Sequence, residues 1–362
     1  MEERKVRYDY LRVVSCFLIV LLHFSSSYWD CVPINSKDFT TMTIYNAITR
    51  SAVPLFLMLS GCLTLEKSED AFWGRRLFSR PIKLLITFYV WSFFYAFQGP
   101  AVELLKTGSV SAERRSNALS SFIFGHYHMW FCFLIVGYYL ILPFAKKISE
   151  DIRILRLFLL MWFIYSFALN YLVSWSDNSW LSQYYNLFEV NILRGYWGYF
   201  LLGYYLMNRK FSEKKRMVIY AMGLLSLILT IVLTINECKR TGAYSQRWFS
   251  TGSPFVLMMC ISIFVFFTYI KESTNQKINF LMKQLAETSF FIYMFHAFVL
   301  EKLNMIGIST ISFNPIVSVP ALTVLGFAVS AVCGLIVKKI PIVGGVFTYN
   351  WKRINKRQKI SS

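Results

Sequence analysis

Residues 8–28 read YDYLRVVSCFLIVLLHFSSSY. The run is long enough to cross the hydrocarbon core of a bilayer, which takes roughly 20 predominantly apolar residues in a helix. Its exceptions are informative. Asp9 and Arg12 stand at its start and His23 lies well inside it, and placing charge or an imidazole in hydrocarbon is costly enough to make each a functional candidate. Arg12 and His23 are separated by almost three whole helical turns, so both side chains share one face, about 16 Å apart along the axis. The stretch therefore predicts a membrane helix that holds an anion at its mouth and reacts near its middle.

The rest of the chain extends that reading. Of 362 residues, 56% are hydrophobic and 16% charged, and the mean hydropathy is +0.46, which a domain with a fully solvated surface could hardly carry. The fold class expected is all-α, a polytopic membrane bundle of about ten transmembrane helices. Their expected positions are 8–28, 43–65, 82–102, 127–145, 154–174, 188–207, 217–236, 254–270, 287–305 and 317–337. The first run is too long for the apolar part of a signal peptide and lacks a small-residue cleavage pattern, so it is read as a retained helix. With this register, residues 1–345 form one transmembrane domain and 346–362, ending in KRINKRQK, a basic cytoplasmic tail.

The formal charge of +19 would suit a nucleic-acid binder, but its distribution argues for topology instead. Lysines and arginines fall mainly in the connections on the side of the N-terminus, which places both termini in the cytoplasm by the positive-inside rule. The basic tail is expected to touch anionic lipid. The seven cysteines are scattered without CxxC or Cys/His spacing, so no metal site is expected. Cys31 and Cys238 fall in outward connections and could pair.

Several further residues invite chemistry. In the second expected span, TRSAVPLFLMLSGCLTL places Arg50 near the outer end, a kinking Pro54, and Ser60-Gly61, where a neighbouring helix or a ligand can approach closely. Arg75, Arg76 and Arg80 follow on the cytoplasmic side with Phe72 and Trp73 beside them. That arrangement is a phosphate-binding surface or a lipid-headgroup anchor, and composition does not separate the two. His126 and His128 precede Trp130 at an interface where an aromatic belt explains the tryptophan. Arg194 lies inside the sixth expected span with Glu189, Asp177 or a substrate as candidate partners. His296 sits in mid-membrane between Tyr293 and Glu301.

Taken together, DYLRVVSCFLIVLLH (9–23), RSAVPLFLMLSG (50–61), the arginines at 75, 76 and 80, HMWFCFLIVGYYLILP (128–143), GYFLLGY (198–204) and SFFIYMFHAFVL (289–300) resemble the membrane-bound acyltransferase family 3. Its members are O-acetyltransferases of surface polysaccharides and other glycans. The pieces occur in the family's order across most of the chain. The closest likeness is to short members acting on lipid-linked or capsular glycans, without the hydrolase-like domain of longer ones. Cys62 departs from the pattern, standing where the family usually has a large apolar residue.

The resemblance implies an acetyl-CoA donor in the cytoplasm, a hydroxyl of a cell-surface or lipid-linked glycan as acceptor, and a multi-pass protein of the bacterial cytoplasmic (inner) membrane. On that implication Arg75, Arg76 and Arg80 hold the CoA phosphates in bidentate fashion, and Arg12, oriented by Asp9, continues the positive path inward. His23 serves either as the general base that takes the hydroxyl proton or as the carrier of an acetyl-imidazole intermediate. Arg50 and Ser60 are the leading oxyanion donors. A transporter or flippase of a lipid-linked glycan is the rival reading, since intramembrane Arg and His also suit a translocation path.

Overall fold

The opening stretch folds as one unbroken helix, α1 (Val6–Ser26), with Asp9 in its first turn, where the helix dipole favours a carboxylate. The computed structural model describes residues 6–67, 74–176, 179–187 and 190–351, the side chains of residues 76, 174, 175 and 179 not among them. After α1 come α2 (Lys37–Thr49), α3 (Ala52–Leu65), α4 (Arg75–Thr107), α5 (Ala112–Phe124), α6 (Trp130–Leu140), α7 (Leu142–Glu150), α8 (Ile152–Phe163), α9 (Asn170–Trp175) and α10 (Ser179–Leu187). Then follow α11 (Trp197–Met207), α12 (Glu213–Thr241), α13 (Pro254–Tyr269), α14 (Gln276–Met305), α15 (Pro315–Val337) and α16 (Val343–Phe347). No strand occurs among the described residues.

Among the described residues, six stretches are long and apolar enough to cross a membrane: Val6–Ser26, Lys37–Leu65, Ile152–Val173, Glu213–Thr241, Arg247–Tyr269 and Pro315–Val337. A seventh is added if α6 and α7, broken at Ile141, count as one. Pro143 explains that break, because it cannot donate to the carbonyl four residues earlier and clashes with it. The expected second span is interrupted in the same way. Pro54 lies in the first turn of α3, and the break falls between Thr49 and Ala52, so the proline divides the span near its outer end rather than kinking its middle.

The other three expected spans differ from the sequence reading for identifiable reasons. The helices α4, of 33 residues, and α14, of 30, have length to spare. Their middles mix Tyr89, Trp91, Tyr95 and Gln98, or Thr288, Tyr293, His296 and Glu301, among the apolar side chains. Helix α11 has only 11 residues, about 16 Å at 1.5 Å per residue, against a core of about 30 Å. The connection expected between residues 102 and 126 is itself largely helical. Helix α4 ends on Gly108 in the left-handed conformation, and Ser111 caps α5 by accepting the Arg114 amide at 3.3 Å.

The chain forms two compact units. The first comprises residues 1–67, 145–286 and 307–325, the second 68–144, 287–306 and 326–362. At the heart of the first unit α3 crosses α11 at close range. A Cβ added to Gly61 would lie 1.8 Å from the Phe200 carbonyl oxygen, and one added to Gly203 would lie 2.0 Å from that of Met58. Gly61 thus serves the approach of a neighbouring helix. In the second unit, α4 pairs with α5 through Ser92, whose hydroxyl donates to the carbonyls of Ser121 at 3.0 Å and Phe122 at 2.7 Å. Trp91 Nε1 ties α4 to the Phe347 carbonyl at 3.3 Å, and Lys338 reaches Glu287 at 2.6 Å.

Candidate functional site

In the first unit the site is built on α1. Asp9 is 5% exposed, and Arg12 and His23 are half-buried along the same continuous helix; all three are engaged by neighbouring groups. The start of α1 is held on several sides. Arg7 donates to the Thr268 carbonyl at 2.9 Å, Tyr10 to Asn279 Oδ1 at 2.5 Å, and Tyr8 to the Met207 sulfur at 3.3 Å. Cys62, the departure noted in the sequence, is buried with its thiol 3.7 Å from the Tyr8 hydroxyl. A small polarizable side chain there makes room for a tyrosine on α1.

The far end of α1 is fixed through α2. Asn46 donates from Nδ2 to the Ser25 carbonyl at 3.0 Å, and its Oδ1 accepts from Arg50 at 2.8 Å. The Arg50 guanidinium lies 4.2 Å above the centre of the Phe249 ring, a cation–π placement. Its Nε is buried without a hydrogen-bond acceptor among the described residues. Ser60 is half-buried on α3, next to the Gly61 crossing. The connection from α12 to α13 folds over this end. Tyr244 donates to the Val32 carbonyl at 2.7 Å, and its ring, with Phe249 and Phe39, surrounds Trp29 at centroid distances of 5.5 to 5.7 Å. Cys31 and Cys238 remain unbridged.

Arg194 is met by tyrosines. Its guanidinium donates to the Tyr185 carbonyl at 2.6 Å and the Tyr165 hydroxyl at 3.1 Å and stacks 4.6 Å from the Tyr185 ring. Asp177 and Glu189, its expected carboxylates, lie outside the described residues. The nucleotide-facing candidates belong to the second unit. Arg75 opens α4 exposed and Arg80 is half-buried one turn on, while the Arg76 side chain, with Phe72 and Trp73, lies outside what is described.

The second unit also holds a polar cluster that pattern reading left unassigned. Gly125 ends α5 at φ 79°, and a Cβ there would meet the Phe88 ring at 2.6 Å, so only glycine turns the chain into His126-Tyr127-His128. His126 Nε2 lies 2.7 Å from Glu301 Oε1, its Nδ1 lies 2.9 Å from His128 Nδ1, and its ring stacks on Tyr95 at 4.3 Å. His128 Nε2 faces the Met294 carbonyl at 3.2 Å, and its own carbonyl accepts from the Tyr293 hydroxyl. His128 is 1% and His296 0% exposed, their rings 5.3 Å apart. The signal for this cluster was a glutamate five residues beyond a histidine in an apolar helix, with a second pair of histidines elsewhere in the chain.

Comparison with known proteins adds a global match to this geometry. Residues 5–335 match the model of a family described as Acyltransferase domain. Two curated relatives, from Staphylococcus epidermidis and from its strain RP62A, are each named "Probable poly-beta-1,6-N-acetyl-D-glucosamine export protein". Each is 23% identical over 343 residues, covering 91% of this chain and 91% of the relative. No solved structure matches.

Proposed function

This chain belongs to the Acyltransferase domain family, the membrane-bound acyltransferase family 3 that its motifs resemble, and from that premise we propose that it transfers an acetyl group from acetyl-CoA to a hydroxyl of a surface or lipid-linked glycan. The observation that carries the reading is α1 itself. A half-buried histidine stands about three turns beyond a half-buried arginine on one uninterrupted helix, in a chain that belongs to an acyltransferase family.

In this scheme the thioester carbon–sulfur bond breaks and an ester carbon–oxygen bond forms. The hydroxyl proton passes to His23 and then to the leaving thiolate, or His23 first takes the acetyl group itself. Arg12, beside Asp9 in the first turns of the helix, attracts the anionic donor. Arg50 supplies a fixed positive charge toward a developing oxyanion, and Ser60 a hydroxyl donor. Arg75, Arg76 and Arg80 bind the CoA phosphates. The protein acts in the cytoplasmic membrane of a bacterium, with both termini in the cytoplasm.

The name of the relatives supports a second reading, passage of a glycan through the membrane. One experiment separates the two. Membranes containing the full chain are given acetyl-CoA labelled in the acetyl group and a β-1,6-linked N-acetylglucosamine oligomer or its lipid-linked form. Acyl transfer puts label into the glycan and adds the mass of an acetyl group; export changes the side on which the glycan is found at constant mass.

A further inference from the structure

Three of the chain's four histidines gather in the second unit, and the hydrogen bonds of two of them fix a proton count. The Met294 carbonyl can only accept, so His128 Nε2, 3.2 Å away, carries a hydrogen. A single proton lies between the two Nδ1 atoms at 2.9 Å, because two would repel and none would leave facing lone pairs. A further proton lies in the 2.7 Å contact of His126 Nε2 with Glu301 Oε1, a length typical of a charge-assisted bond. An ionised glutamate with two neutral imidazoles would hold one proton fewer. The trio is therefore neutral overall and holds one proton in excess of that set.

That proton has three places to reside without any ring turning. These are the Glu301 carboxyl, His126 as imidazolium and His128 as imidazolium. When the carboxyl O–H breaks, N–H forms at His126 Nε2; when His126 Nδ1–H breaks, N–H forms at His128 Nδ1. Each step makes one bond and breaks one, and two steps carry a charge from the Glu301 side chain, 35% exposed, to the His128 side chain, buried to 1% residue exposure. The donors do not converge on one point as metal ligands, and among the described residues no three His, Cys, Asp or Glu side chains do. They run in a line.

We propose that Glu301, His126 and His128 are a one-proton relay that conducts between the partly exposed end of α14 and the buried imidazole of His128. The frame is rigid: the Tyr95 hydroxyl accepts from the Phe298 amide at 3.1 Å and donates to the Met294 carbonyl at 2.6 Å, and Tyr293 holds the His128 backbone. The titratable groups that face the relay are Tyr95 from α4, Tyr127 from the turn, and Tyr293 and His296 from α14. Lys302 turns instead over the Phe298 ring. The relay itself rests on donors and acceptors alone. Its use, passing to water the acceptor hydroxyl's proton in the route where His23 first takes the acetyl group and the thiolate is protonated in a separate step, rests on the reading above, and makes Glu301 and His126 positioning residues for proton transfer.

Glu301→Gln tests this with little change of shape, since the amide N–H can donate to His126 Nε2 while the transferable proton is lost. The full chain, labelled with nitrogen-15 histidine in lipid bilayers, is expected to show an imidazolium-like pair and coupling between two Nδ1 nitrogens at neutral pH. Only neutral rings are expected in Glu301→Gln, together with a turnover number about tenfold lower or more, an unchanged KM and a flattened pH profile. A wild-type spectrum of neutral tautomers without coupling overturns the relay, and that measurement needs no variant to fold. Loss of the imidazolium signal with unaltered turnover and pH profile overturns its use in the reaction. Coupling in a wild type that acylates nothing leaves the relay standing and removes acyl transfer.

Discussion

At the scale of single residues, His23 is the sharpest test. An imidazole has an ordinary pKa of about 6.5, so it can take a proton near neutrality, and its half-buried position on α1 keeps it within reach of a ligand. His23→Ala is expected to lower acyl transfer by about 100-fold or more while the amount of membrane-inserted protein stays at the wild-type level. Transfer per inserted molecule within a factor of two of wild type would reduce His23 to a packing residue. This residue was legible in the sequence because its partner, Arg12, lies on the same helix, where spacing alone sets the face. Arg194 and Glu301 were legible only as intramembrane charges. Their companions, Tyr165 and Tyr185 for one and His126 for the other, come from segments that only the folded chain brings together, and no periodicity reports such a pairing.

At the scale of elements, the crossing of α3 on α11 sets how the first unit packs. Without water between helices in a bilayer, association depends on close packing, and small residues are what permit it. Gly61 and Gly203 each face a backbone carbonyl of the opposite helix, so neither neighbour can yield as a flexible side chain would. Gly203→Leu is expected to cost about 1–3 kcal/mol from overpacking, or more because backbone must move, visible as a lower midpoint of thermal unfolding in detergent. Gly137 on α6 is the contrasting case. Nothing lies within 4 Å of a Cβ there, so Gly137→Ala should raise stability by up to about 1 kcal/mol through helix propensity. Equal responses of the two variants would show that the crossing is not what limits stability. The breaks of the second and fourth expected spans were foreshadowed by Pro54 and Pro143. What pattern reading could not place was the break itself, since a proline disrupts the turn before it.

At the scale of the whole molecule, the number of crossings decides which side of the membrane each end occupies. The six stretches that meet the length and apolarity standard give an even count, and α6 with α7 makes it odd. Helices α4 and α14, about 50 Å and 45 Å long at 1.5 Å per residue, have the length for a core of about 30 Å, and counting them as crossings would bring the number to nine. The parity then rests on α11. Its 11 residues cannot cross alone, but the irregular segment before it, a short 3₁₀ turn at Asn191–Leu193 and Gly195 at positive φ, continues toward it. Non-helical backbone is tolerated at membrane depth only where protein covers it. Here Trp162 Nε1 donates to the Gly195 carbonyl at 3.0 Å, and the Trp162 ring lies against Gly198. Counted as a tenth, partly unwound crossing, residues 190–207 would return the C-terminus to the side of the N-terminus, the arrangement that the distribution of lysine and arginine predicts. Reporter domains fused separately to the two ends are therefore expected to read cytoplasmic in both cases. Opposite readings would mean an odd number of crossings, and residues 190–207 would then turn back within the membrane.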